Sequence, residues 1–165
     1  SVVKSKGGFA IQSKTGHSFI KQTMRTHRAI YGGEISAHHY FRDFAFCDSG
    51  MIPWLLIAEL ISKSESSLAD QLQDRFKAFP SSGETNFLVE DAKASIDRVL
   101  TAYRSEAKSL DETDGLSLTF SDWRFNLRRS NTEPLVRLNI ESCGNVAKIE
   151  AKAIDIARLL GGTRV

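Results

Sequence analysis

The chain predicts an α/β plus α+β fold: a partial mixed α/β domain followed by a small antiparallel sheet with helices on one face. Three observations predict it. In the first half, short apolar runs that read as strands are interleaved with helical stretches. In the second half, residues 116–120, 123–127 and 135–141 alternate apolar and polar side chains, as half-buried antiparallel strands do. Between the halves, Phe79-Pro80-Ser81-Ser82-Gly83 has the composition of a linker. The expected domains are residues 1–79 and 84–165.

Taken in order, residues 1–6 read as the end of a helix stopped by Gly7-Gly8. Phe9-Ala10-Ile11-Gln12 reads as a short strand. A domain that opens inside such a pattern is expected to lack its beginning. Ser18 to Arg25 is an amphipathic helix, which sets His17 at its N-terminus. Ala29-Ile30-Tyr31 reads as a strand, with Gly32-Gly33 as a sharp turn or close approach after it. The aromatic stretch Phe41 to Cys47 is expected to pack under the loop that follows the glycines. Asp48-Ser49-Gly50 has N-cap chemistry. Met51 to Ser62 is apolar nearly all round, with Pro53 tolerated in the first turn, so a buried core helix is expected. A second amphipathic helix spans about Leu68 to Phe76. Beyond the linker, Glu84 to Leu88 reads as a strand and Glu90 to Lys108 as a long helix. The three alternating strands follow, then Gly144-Asn145 as a turn. A closing helix from Val146 to Leu160 is stopped by Gly161-Gly162.

The totals narrow the function classes, although the near-balanced charge argues neither for nor against nucleic acid. A hydrophobic share of 41% and a charged share of 25% are those of an ordinary globular protein. Net charge is +2, from 22 basic and 20 acidic residues, with no basic run of the kind that attracts a nucleic-acid backbone. Cys47 and Cys143 lie far apart and read as reduced thiols, which fits the cytoplasm. No apolar stretch reaches the roughly 18–20 residues of a membrane span, and no apolar signal core follows the basic first residues. The expectation is a cytoplasmic protein with neither nucleic-acid nor membrane partners.

Three polar clusters remain. Glu34, Ser36 and His38 recur at every second position, so an extended backbone would set a carboxylate, a hydroxyl and an imidazole on one face. That set suits a ligand rich in hydroxyls; a solvated loop would use the same residues. His17, beside Thr15 and between Lys14 and Lys21, is a candidate acid/base or phosphate ligand at a helix N-terminus, where N–H groups favour anions. The cationic neighbours disfavour imidazolium and favour the neutral base form. Its plain alternative is a polar residue of the first turn. Arg128-Arg129-Ser130-Asn131-Thr132-Glu133-Pro134 is dense in donors, with a guanidinium fork and a turn able to form an anion nest. A hairpin loop with a surface arginine is the alternative.

Gly33-Glu34-Ile35-Ser36-Ala37-His38 resembles the sugar-binding loop of the α-D-phosphohexomutases, the family of phosphomannomutase and phosphoglucomutase. Arg128 to Pro134 resembles that family's phosphate-binding loop, and Lys14-Thr15-Gly16-His17 is similar to a third signature. All three fall in the order of the family's third and fourth domains, over nearly the whole chain. The strings Ala37 to Phe41 and Trp123 to Leu127 look most like bacterial phosphomannomutases. The resemblance implies that Glu34, Ser36 and His38 meet sugar hydroxyls. It also implies that Arg128, Ser130, Asn131 and Thr132 hold the phosphate that is not transferred. His17, with Thr15 beside it, would sit near the reacting hydroxyl as a candidate for proton transfer. No role is carried onto Arg129.

The departures are equally informative. No Ser-His-Asn-Pro-like phosphoserine loop and no Asp-x-Asp-x-Asp magnesium loop occurs here. The resemblance therefore implies the C-terminal portion of an enzyme that moves a phosphoryl group between C1 and C6 of a hexose. Magnesium and a hexose bisphosphate activator would serve the full-length enzyme, with none held by this chain and no metal ligands among its residues. Its partners would be a mannose or glucose phosphate and the absent N-terminal domains. The chain by itself is expected to be inactive. A free-standing phosphosugar or anion-binding module without catalysis is the alternative.

Overall fold

A computed structural model describes residues 2–130 and 133–165. It separates into two compact units, the first ending at Ser67 and the second beginning at Leu68.

The first unit holds α1 (Val2–Ser5), α2 (His17–His27), β1 (Tyr31–Gly33), β2 (His39–Phe41), β3 (Cys47–Asp48) and α3 (Met51–Lys63), with a 3-10 turn at Arg42–Phe44. The strands form an antiparallel sheet in the order β1-β2-β3. Helix α2 packs on it through Ile20 and Met24, which bury Tyr40 of the central strand. A Cβ at Gly32 would lie 2.8 Å from Met24 Sδ and 3.0 Å from Ile20 Cγ2. Gly32 is thus required by close packing of helix on strand, not by a turn. The glycine pair lies inside β1, two residues beyond the strand expected at 29–31.

Two expectations fail here. Residues 9–12 form no strand, and Phe9 is 84% exposed. A short apolar run becomes a strand only when a neighbour completes its hydrogen-bond ladder. Helix α3 forms as expected, yet none of its residues is buried, and Trp54, Leu55, Leu56 and Leu60 are each more than half exposed. Its all-round apolar composition requires cover that the described elements do not supply.

The second unit holds α4 (Leu68–Ala78), β4 (Ser81–Leu88), α5 (Ala92–Tyr103), β5 (Ser109–Asp111), β6 (Leu116–Thr119), β7 (Trp123–Arg129), β8 (Leu135–Ser142), α6 (Val146–Leu160) and β9 (Thr163–Arg164). Its six-stranded sheet runs β5-β6-β7-β8-β4-β9, antiparallel throughout. Alternate residues Phe125, Leu127, Val136, Leu138 and Ile140 are fully or almost fully buried against Val99, Ile156 and Leu160 of α5 and α6. This realises the period-2 pattern of the sequence. Residues 81–83, expected as linker, belong to β4 through a bulge between Ser81 and Glu84. The helix expected over 90–108 is shorter. Asp91 caps α5 by accepting a 3.0 Å bond from Ala94 N–H, and residues 104–108 lead into β5.

Candidate functional site

His17 is the first residue of α2, behind Gly16, whose φ of 124° brings the chain into the helix without a side-chain cap. Its ring meets His38 edge to face, with centroids 4.7 Å apart, and meets Tyr40 at 5.3 Å. Thr15 lies one residue ahead of that cap and is exposed. The segment from Glu34 to His38 is a turn, not the extended strand expected. Ala37 N–H donates to Glu34 O, Glu34 N–H donates to His38 O, and Ala37 adopts a left-handed φ of 64°. The alternation rule for extended chains therefore does not hold across 34–38. The turn still joins the polar groups, with Ser36 Oγ lying 3.4 Å from Glu34 Oε2.

His38 finds a partner the sequence did not announce. Its Nδ1 lies 2.8 Å from Asp48 Oδ2, while Asp48 Oδ1 accepts a 2.9 Å bond from His39 N–H. Strand pairing sets Tyr40 opposite Asp48, which brings the carboxylate beside His38. The bond from His38, then the backbone bond from His39, hold the Asp48 carboxyl below its usual range. An ionised carboxylate only accepts, so His38 Nδ1 carries the proton and, in the neutral ring, Nε2 presents a lone pair. Of the segment Asp48-Ser49-Gly50 expected to cap α3, it is Ser49 whose Oγ accepts from Ile52 N–H, at 3.3 Å, while Asp48 turns to His38.

In the second unit, Arg128 and Arg129 end β7, and Ser130 N–H donates to Leu135 O at 2.8 Å as the chain turns towards β8. Asn131 and Thr132 lie outside the described residues. The Arg128 guanidinium faces Glu84 at 3.7 Å and Asp114 at 3.6 Å, and Glu84 also accepts from Arg137 at 3.2 Å. The two Arg128 contacts are longer than hydrogen bonds. They set the fork between two carboxylates. Gly115, at φ 78°, lies where a Cβ would come 2.3 Å from Leu127 O and 3.0 Å from Arg128 Cα. The hairpin turn before β6 thus presses directly on the backbone that carries Arg128. Asn126 Nδ2 bonds Asp114 O and Ser117 Oγ at 2.8 and 2.9 Å and holds this turn in place.

The structure thus joins His17 to His38, and Glu34 to Ser36, within the first unit, and sets Arg128 and Ser130 in the second. Asp48, Tyr40, Glu84, Asp114 and Arg137 were missed. Each reaches the cluster of its own unit through strand pairing or side-chain contacts between segments, which apolar periodicity does not report. Among the described residues, the one group able to hold a metal ion is His17, His38 and Asp48, whose donor atoms lie within 4.8 Å of one another. Two imidazoles and one carboxylate do not fit magnesium, which takes near-octahedral oxygen ligands. No described helix is long and apolar enough to cross a membrane.

Comparison with known proteins accounts for both units. Residues 1–79 match the phosphoglucomutase/phosphomannomutase alpha/beta/alpha domain III, and residues 84–159 match the C-terminal domain of the same family. A phosphomannomutase of Salmonella montevideo is 58% identical over 160 residues, which is 97% of this chain and 35% of that protein. A protein of Xanthomonas campestris pv. campestris described as phosphohexose mutases is 56% identical over 161 residues, 98% of this chain and 36% of its own. The crystal structure of a phosphoglucomutase/phosphomannomutase family protein from Burkholderia thailandensis superposes with a TM-score of 0.74 at 27% identity, over 98% of this chain and 35% of that one. The chain therefore spans about a third of the length of the relatives it matches. With domain III matched over residues 1–79 and the C-terminal domain over residues 84–159, the chain belongs to the phosphoglucomutase/phosphomannomutase family.

Proposed function

We propose that this chain supplies the hydroxyl-reading and phosphate-holding parts of a hexose phosphomutase, which moves a phosphoryl group between C1 and C6 of mannose or glucose phosphate. The observation that carries this is the hydrogen-bonded set of Glu34, Ser36, His38 and Asp48 against His17, in a chain of this family. Glu34 and Ser36 bind sugar hydroxyls. His38, held by Asp48 with Nε2 free to accept, takes the proton from the attacking hydroxyl and returns one to the leaving oxygen. His17, touching its ring, shares that acid/base role or shapes the pocket for it. Thr15 borders the reacting hydroxyl. Arg128, Ser130, Asn131 and Thr132 grip the phosphate that stays in place, so the sugar can bind in either orientation against one fixed anchor.

The phosphoryl-carrying serine belongs to the parent enzyme outside this chain, as do the N-terminal domains. We assign magnesium and a hexose bisphosphate activator to that parent, in the cytoplasm, and derive no step here through the metal. Residues 1–79 are read as part of domain III, and residues 84–165 as the domain that bears the phosphate cradle.

Amide NMR titration tests this reading. Mannose 1-phosphate is expected to shift resonances at both 33–38 and 128–132, and inorganic phosphate those at 128–132 alone. Shifts at neither segment, in this chain and in the full-length enzyme alike, would refute it. The chain alone is expected to show no mutase turnover.

A further inference from the structure

We propose that Tyr40 is a positioning residue, whose buried hydroxyl aims the Glu34 carboxylate at the sugar and so sets substrate affinity. This rests on the reading of Glu34 given above. Tyr40 is 0% exposed, at the centre of the three-stranded sheet under Ile20 and Met24. Phenylalanine would fill the same volume. A hydroxyl there is costly unless it has a partner. Its partner is Glu34 Oε1, at 2.5 Å, on the half-exposed turn above. Burial, and then the bond to Glu34, push the phenol far above its ordinary pKa, so it remains a donor.

One sheet residue thus reaches out of the core to hold a side chain of the candidate site. The two oxygens of Glu34 are differently used. Oε1 is taken by Tyr40, whereas among the described residues Oε2 has the long 3.4 Å contact from Ser36. The short bond fixes the carboxylate plane and leaves Oε2 as the atom that accepts from a sugar hydroxyl. Without it, Glu34 is a flexible side chain that must be ordered when the ligand binds, and that ordering lowers affinity. The Tyr40 ring also lies edge-on to His17 at 5.3 Å. Since the hydroxyl bonds Glu34, removing it disturbs the sugar reader while leaving the ring contact with His17.

The test uses the full-length enzyme that contains this chain. Tyr40→Phe keeps the ring and deletes only the donor. KM for the hexose phosphate is expected to rise roughly 2- to 12-fold, the net worth of one ordinary hydrogen bond, with kcat within twofold. Inhibition by inorganic phosphate is expected to be unchanged. Glu34→Gln is expected to raise KM by at least as much, and the double variant Tyr40→Phe with Glu34→Gln to add little to Glu34→Gln alone. An unchanged KM for Tyr40→Phe beside a raised KM for Glu34→Gln overturns the positioning role and leaves the sugar reading intact. An unchanged KM for both overturns the sugar reading as well. A fall in kcat at constant KM ties the hydroxyl to His17 and also overturns the proposal. Should Tyr40→Phe not fold, Glu34→Asp, which keeps the charge but shortens the reach to Tyr40, is expected to raise KM similarly; an unchanged KM there overturns the proposal.

Discussion

Replacing Asp48 by Asn tests the proton-transfer assignment with almost no change in shape. Asp48 accepts two bonds, one from His38 Nδ1 at 2.8 Å and one from His39 N–H at 2.9 Å. An asparagine oxygen can keep the second. Its amide NH2 then faces the Nδ1–H of His38, donor against donor. The site relieves this by moving the ring proton to Nε2, which removes the lone pair proposed to accept the sugar proton, or by losing the bond altogether. A hydrogen bond to a charged group is worth about 1.5–3 kcal/mol, so kcat of the full-length Asp48→Asn enzyme is expected to fall about 10- to 150-fold. Nitrogen-15 spectra of the imidazoles in this chain should show the His38 tautomer change directly. The acid response follows from the lowered Asp48 pKa. The His38–Asp48 contact is fully present above the ordinary carboxylate value near pH 4 and is lost only as pH falls through the lower folded value. Asp48→Asn removes that acid-dependent contribution. A variant that keeps more than half of wild-type kcat, or imidazole spectra in which His38 keeps both its tautomer and its bond to residue 48, would refute the assignment.

Three further substitutions probe what holds the two loops and the closing helix. Ala37→Gly relieves a left-handed φ of 64° in the turn from Glu34 to His38 and is expected to raise stability by roughly 0.5–1 kcal/mol in urea unfolding; a loss of stability would show that the turn carries no such strain. Gly115→Ala combines a forbidden φ of 78° with a Cβ 2.3 Å from Leu127 O, so a cost of roughly 2–4 kcal/mol and weaker phosphate binding are expected. A normal unfolding midpoint with normal phosphate affinity would contradict the close approach. Arg98→Ala deletes the guanidinium that caps α6 by donating to Leu159 O at 3.0 Å and Leu160 O at 2.8 Å, beside the buried Ser95 hydroxyl on the same carbonyl. A loss of about 1–3 kcal/mol is expected, and an unchanged denaturant midpoint would show that the cap contributes nothing.

The second unit was the more legible in sequence. Strands β6, β7 and β8 and helix α6 follow from apolar period alone, because both sides of that pattern are satisfied inside the unit: Phe125, Leu127 and Leu138 meet Val99 and Ile156. Helix α3 shows the converse. Its pattern correctly gave a helix but not its burial, since burial depends on what lies beside it. The motifs likewise named Glu34, His38 and Arg128 but not the residues that aim them. Glu84 and Asp114 reach Arg128 from other segments of the same unit, and no local rule joins positions so far apart in the chain.

Asp48 marks the sharpest case, because a local rule competed for it. Before a helix, Asp-Ser-Gly reads as a cap. What redirects Asp48 is the turn between β2 and β3, where Ala45 and Phe46 take φ values of 53° and 59°. Two successive non-glycine residues in the left-handed region are costly, at roughly 1–2 kcal/mol each. Neither residue advertises such a turn, so sequence rules place it nowhere. Its effect is to fix Phe41 opposite Cys47 and Tyr40 opposite Asp48. A shift of one residue would turn the Asp48 side chain to the other face of the sheet and leave His38 Nδ1 without its acceptor. Strain persists only where the surrounding structure holds it in place, and it collects where geometry serves a site. The strained turn is therefore best understood as the device that sets the His38–Asp48 register. Glycine at 45 and 46 should relieve the strain, yet loosen the register on which the imidazole depends.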